Sequence, residues 1–352
     1  MKNSKLIYAI ALFAIFLNAC SDDNDKPEEP LGDYENGYFI TNEGPFQNGT
    51  GTITFVGEDG QVSQNVYNAV NGEDLGNIVN SMTIAGDKGY IVVNNSNKVV
   101  VVNKYTMEKE DEIKGGSINN PRFLVVNDGK GYISNWGDPS NANDDFITVI
   151  SLETNEILGT ISVGEGPEKM IIDTDRLYVC LQGGYGSNNQ VVVIDTTDDS
   201  VVTNLAVGDV PNSIVSDSSG NLWVLCGGNP AWTGNETPGF LFKIVPGNNS
   251  LSSIEFESTE HPSLLSSDVG NLYYSLNGQV FQMSDSDDSL PSDGLAGLDG
   301  FYYSMTVRDG ELYATDAADY ASEGSLKIFS LSAGTLIETI TTGIIPGQVV
   351  FP

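Results

Sequence analysis

Residues 163–180 read VGEGPEKMIIDTDRLYVC. A glycine-rich turn runs into Pro167, an apolar stretch of strand length follows, Asp173-Thr174-Asp175 makes a tight polar turn, and a second strand opens on Leu177-Tyr178. Glycine and short polar residues serve turns, and β-branched and aromatic residues serve a pleated, half-buried surface, so the stretch reads as a β-hairpin. The chain is built from this phrase. A tight turn followed by a strand opening on an aromatic recurs at Asn36-Gly37-Tyr38, Lys88-Gly89-Tyr90, Lys130-Gly131-Tyr132, Arg176-Leu177-Tyr178, Asn221-Leu222-Trp223, Asn271-Leu272-Tyr273 and Glu311-Leu312-Tyr313, at intervals of 40 to 52 residues.

A second pattern returns the same count. Each aromatic strand is followed by a loop and then another apolar or alternating strand, at 52–56, 99–102, 147–150, 191–194, 241–244, 280–283 and 326–329. Each of these leads into a polar turn and a weaker fourth strand. A period in the forties with this content specifies a propeller blade of four antiparallel strands. The expected fold is therefore all-β, a seven-bladed propeller. Pro121, Pro167, Pro211, Pro262 and Pro346 mark the starts of innermost strands. Residues 346–351 form an innermost strand with no second strand after it, and 38–40 form a second strand with no innermost strand before it. The two ends are expected to share one blade, which closes the ring and hides two strand edges. Residues 71–79 are the one stretch with room for a short helical turn.

Residues 191–224, VVVIDTTDDSVVTNLAVGDVPNSIVSDSSGNLWV, resemble the repeat of the YncE-like seven-bladed propellers. The matching positions are Asp195-Thr196 at a strand end, Gly208 and Pro211 ahead of an inner strand, and Gly220, Leu222 and Trp223 at the next hairpin. The resemblance covers roughly residues 36–352; blades one and six depart most from it.

The amino-terminal residues are set apart by composition. Lys2 and Lys5 precede an apolar run, 6–17, that is shorter than the ~20 residues a helix needs to cross a bilayer. Leu17-Asn18-Ala19-Cys20 resembles a bacterial lipobox, with cleavage before Cys20 and lipidation of it. The acidic residues 21–25 resemble the surface-export signal of Bacteroidetes lipoproteins, and 26–30 read as linker. The expected organisation is a signal peptide over 1–19, lipidated Cys20 with an acidic linker through 35, and the propeller over 36–352. The expected location is the outer membrane, facing outward, with the lipid as the only membrane contact.

The formal charge is −33, with 48 acidic and 15 basic residues. Such a body repels nucleic acid and anionic headgroups. Cys180 and Cys226 are the only cysteines beyond Cys20 and read as buried strand thiols. His261 is the single histidine, which leaves little for triad chemistry. No His/Cys group has zinc spacing, Asp285-Ser286-Asp287-Asp288 lacks the glycine and glutamate of an EF-hand, and no cofactor is expected.

Strand order decides which loops share a face. Turns between strands one and two, and between three and four, lie on one side and are short. Loops between strands two and three lie on the other side with the crossovers, and they are long and carry aromatics. This face supplies the candidate ligand-binding residues: Phe46, Asn135 and Trp136, Asp138, Gln182 and Tyr185, Asn229 and Trp232, Asp316 and Tyr320. Aromatics in exposed loops suit a flat or amphipathic ligand. Blades two and six have short loops there and should leave gaps in the wall. The acid pairs Asp138/Asp144 and Asp316/Asp319 are the candidates for hydrolase or lyase chemistry, a lesser alternative beside a protein- or glycan-binding scaffold. By its resemblance to the cobalamin-capturing propeller lipoproteins of gut Bacteroidetes, the chain is expected to be a monomeric binding module. That resemblance implies a small-molecule ligand, a corrinoid, passed to a TonB-dependent transporter.

Overall fold

The computed structural model describes residues 31–46, 49–138 and 140–352. The signal, Cys20 and most of the linker lie outside the described residues. Seven antiparallel sheets surround one axis. Blade 2 comprises Val79–Ala85, Lys88–Val93, Lys98–Asn103 and Lys109–Lys114. Blade 4, which contains the hairpin quoted above, comprises Pro167–Asp173, Arg176–Leu181, Gln190–Asp195 and Ser200–Ala206. The innermost strand of each blade packs on that of the next, all the way round, so the ring is closed.

The seam is where the sequence places it. Pro346–Val350 pairs antiparallel with Gly37–Asn42, with Val350 opposite Phe39 and Val349 opposite Ile40. Tyr38, Tyr313 and Phe351 interlock beside it, with ring centroids 5.0 to 5.7 Å apart. These edge and tilted contacts add to the area they bury.

The recurring tyrosine has a specific duty. Tyr90, Tyr132 and Tyr178 are fully buried between blades. Each hydroxyl reaches a turn of the following blade, at Asn155 (3.2 Å), Asp199 (2.8 Å) and Asn249 (3.0 Å). All three partners sit in the left-handed region, at φ 58°, 58° and 54°, where Asn and Asp are tolerated best among residues with a side chain. A buried phenol needs a partner, and here it clasps neighbouring blades on the short-turn face. The cysteines, Cys180 and Cys226, are free thiols in one core cluster between blades 4 and 5.

Two expectations need correction. Blade 6 has three strands, Ser263–Asp268, Asn271–Leu276 and Gln279–Ser284, and no fourth. Residues 285–303 wrap the edge instead: Leu290 packs toward blade 5, Leu295 toward blade 7, and Leu295 N–H donates to Val280 O at 2.7 Å. A covered edge is as safe from foreign strands as a paired one. The short helix is Val66–Asn71, ahead of the expected 71–79; burial of Val66 and Tyr67 in the cluster between blades 1 and 2 fixes it there.

Candidate ligand-binding face

Six of the seven inner strands begin irregularly, and this shapes the face. The residue ahead of the strand is left-handed at Ile78, Asn120, Gly166, Val210 and Ile345. The ladder then skips one or two residues, as between Pro121 and Leu124, Pro167 and Met170, or Pro346 and Val349. Such bulges re-aim side chains. Gly166 shows why the GEGP of the opening phrase is needed: a Cβ there would strike the backbone of Gly183 and Gly184 in the neighbouring loop.

The bulged residues of blades 3 and 4 meet near the axis. Arg122 forms a bidentate pair with Glu168, at 2.8 and 2.9 Å, and both side chains are largely buried. The guanidinium lies 4.3 Å from the Trp136 ring centroid, and Trp136 Nε1 donates to Pro167 O at 3.0 Å. Glu43, from blade 1, accepts from the Tyr303 hydroxyl at 2.7 Å; burial raises its pKa, while Tyr303 and Arg122 partly offset the rise. The Lys169 ammonium sits 3.8 Å from the Phe123 ring centroid, and burial lowers its pKa to about 8. Buried Asp145 accepts from Gly166 N–H at 2.6 Å; burial, with Asp144 and Glu165 close by, pushes its pKa up to about 6. Of these residues only Trp136 was a candidate from the sequence; Arg122, Glu168, Glu43, Tyr303, Lys169 and Asp145 were not. A signal was there: Arg122 and Glu168 each directly follow an inner-strand proline.

The ten sequence candidates divide cleanly. Phe46, Tyr185, Trp232 and Tyr320 are exposed, at 72, 74, 86 and 60%. Phe301, at 86%, completes a set of five: it lies over Gly278, in the tight turn of blade 6, and fills one of the two expected gaps from the crossover. These five are the exposed aromatics among the described residues, and all lie on the loop-rich face. Trp136 is half-buried and meets Tyr185 edge-on at 6.0 Å, so it supports the face more than it offers itself. Gln182 is half-buried and its side chain makes no internal hydrogen bond among the described residues.

The remaining four are committed to the fold. Asn135 is fully buried, gives its amide to Ile133 O and Thr148 Oγ1, and accepts from Asn119 N–H. Asn229 joins Ser187 to Asp209. Asp138 caps Ser140, with its pKa lowered by that bonding. Asp316 is paired with Lys327 at 2.8 Å, which lowers its pKa. The acid pairs are likewise spent on loop structure: Asp144 accepts from Asp138 N–H, and Asp319 from the N–H groups of Ala321 and Ser322. His261 bridges Gly227 O and Glu236.

The other expected gap stays open. Above blades 2 and 3 lies a recess of about 390 Å³, walled by Phe46 and Tyr185 and lined by Asn94, Asn95, Asn97, Asn119 and Asn120. On the opposite face, Tyr34 N–H donates to Tyr105 O in a short turn of blade 2, so the chain leading from residue 31 enters on the side away from the aromatics.

Fold and face together define a closed seven-bladed propeller with an aromatic-bearing loop surface. Residues 36–342 match the family described as a domain of unknown function, DUF5074, and the chain belongs to that family. No curated protein sequence matches it. Among solved structures it is similar to a quinonprotein alcohol dehydrogenase-like protein from Bacteroides thetaiotaomicron, with TM-score 0.65 and 17% identity over 90% of this chain and 78% of the other. It is also similar to the hydrazine synthase of Kuenenia stuttgartiensis, with TM-score 0.59 and 15% identity over 75% and 86%. A third is AztD from Citrobacter koseri, with TM-score 0.55 and 12% identity over 89% and 96%. At these identities the shared property is the propeller itself.

Proposed function

We propose that this chain is a ligand-capturing module that works through its loop-rich face, held at the outer membrane surface by a lipid on Cys20. The observation that carries this reading is the concentration of all five exposed aromatics of the described residues on one face. Exposed rings are unfavourable in water unless something covers them, and a rigid scaffold with variable loops is a common platform for binding. The attachment of residues 31–36 to the opposite face supports an orientation in which the binding face looks away from the membrane.

The ligand class we favour is a corrinoid, handed on to a TonB-dependent transporter. The broad ring would lie against the aromatics, and its peripheral carboxamides would meet the asparagine-lined recess. The test is direct. The chain from residue 21 onward is mixed with excess cyanocobalamin and gel-filtered. Coloured protein is the expected result; colourless protein at millimolar ligand ends the corrinoid version.

A further inference from the structure

The recess over blades 2 and 3 carries an unusual chemistry for this molecule. The chain has 48 acidic residues, yet among the described residues no Asp, Glu, Lys or Arg lines the recess, while five asparagines do. Part of that has a backbone reason. Asn97 and Asn120 sit at φ 51° and 54°, where asparagine is tolerated, and Asn94 is spent on Asn120 Oδ1 and Pro121 O. Asn95 and Asn119 have no such reason. Among the described residues, exposed Asn95 gives its amide to Asn77, which leaves its Oδ1 open, and half-buried Asn119 uses only its backbone N–H and C=O. The Nδ2 groups of Asn97 and Asn120 are open as well among the described residues. The recess thus presents unpaired donors and unpaired acceptors side by side, between two exposed rings.

We infer that this recess is a subsite for an uncharged ligand edge that itself carries paired donors and acceptors, as carboxamides or vicinal hydroxyls do, and that it rejects carboxylates. A carboxylate brings acceptors only; it can take the open amides of Asn97, Asn119 and Asn120 but leaves the open oxygens of Asn95 and Asn119 without a donor, and it loses its hydration with no cation among the described lining residues to replace it. The surrounding negative charge adds to the rejection. Phe46 and Tyr185 supply the apolar faces against which a ring can lie. At about 390 Å³ the recess holds one sugar ring or one flank of a larger macrocycle.

This inference rests on the loop-rich face being the binding face, and the experiment separates the two. The chain is titrated with cyanocobalamin, with its derivative in which one peripheral carboxamide is hydrolysed to the acid, with maltotetraose, and with tetragalacturonate. The same four probes are applied to Asn95→Ala, Asn119→Ala and Trp232→Ala, each checked for an unchanged thermal transition. The expected result is binding of the neutral member of one pair at least about tenfold tighter than its acid partner, with that margin lost in the asparagine variants. Preference within the cobalamin pair identifies carboxamides as the source, and preference within the saccharide pair identifies diols. Binding that is weakened by Trp232→Ala but indifferent to charge, or unchanged in both asparagine variants, overturns the subsite and leaves the binding face standing. Binding of none of the four overturns both.

Discussion

The two faces of the disc are made from the same repeat and are used differently. On the short-turn face the hairpins close in two to five residues, with left-handed positions at Asp128, Thr174 and Asp309 in two-residue turns. Buried tyrosines there stitch blades 2, 3 and 4 each to the next. On the opposite face the strands open into loops as long as 227–239, and every exposed aromatic of the described residues is there. One face spends its side chains on holding the ring together, which leaves the other free to vary in length and chemistry. The bulged starts of the inner strands lie on the loop-rich side, with the Arg122–Glu168 pair against Trp136.

That division predicts that changes to the holding elements cost stability, and that changes to the exposed rings cost binding alone. The largest effect is expected from removing residues 346–352, which leaves Gly37–Asn42 unpaired on its inner side and opens the ring; a thermal melt should show no cooperative transition. Next is Arg122→Met, which strands Glu168 largely buried without its partner. It should cost about 3 kcal/mol in denaturant unfolding, and Arg122→Met with Glu168→Leu should recover most of that. Asp145→Asn should act in the opposite direction and only above a threshold pH. The folded protein holds this carboxyl at about 6, above its ordinary value. The stability this confers is therefore complete below about pH 4 and is lost as pH rises through about 6. The asparagine variant should gain roughly 1–2 kcal/mol over the native chain at pH 8, and the gap should close at pH 4. The smallest effect is Tyr132→Phe, about 1 kcal/mol from the lost bond to Asp199, with ligand binding intact.

The fold was legible because its punctuation is physical. Turns that need a left-handed residue, such as Gly86 and Gly129, and strands that need a buried aromatic cannot be written in many ways; Gly89-Tyr90 and Gly131-Tyr132 repeat because a Cβ on the glycine would strike Met82 or Ile150 while the tyrosine is buried between blades. The missing strand of blade 6 was not legible. Residues 285–303 are polar with scattered leucines, and whether such leucines form a strand or a wrap is decided by packing from both neighbouring blades. Four of the five exposed aromatics, Phe46, Tyr185, Trp232 and Tyr320, were readable because long loops must lie at the surface; Phe301 was not, because it sits in the wrap that replaces the fourth strand of blade 6. Asn135 and Asn229 were misread for the same reason: they stand at or just past strand ends, where a step of one or two residues separates a buried hydrogen-bonding position from an exposed one. Arg122 and Glu168 went unread because ordinary strand alternation does not anticipate a bulge.

The claim that one face binds and the other holds is tested most directly by a matched titration. The native chain, Tyr185→Ala with Trp232→Ala, and Tyr132→Phe are titrated with whichever probe the native chain takes up. Affinity lost in the loop-face pair with its melting temperature kept, and affinity kept in Tyr132→Phe with its melting temperature lowered, is the predicted outcome. Native affinity in the loop-face pair, or loss of affinity in Tyr132→Phe while it remains folded, would contradict it.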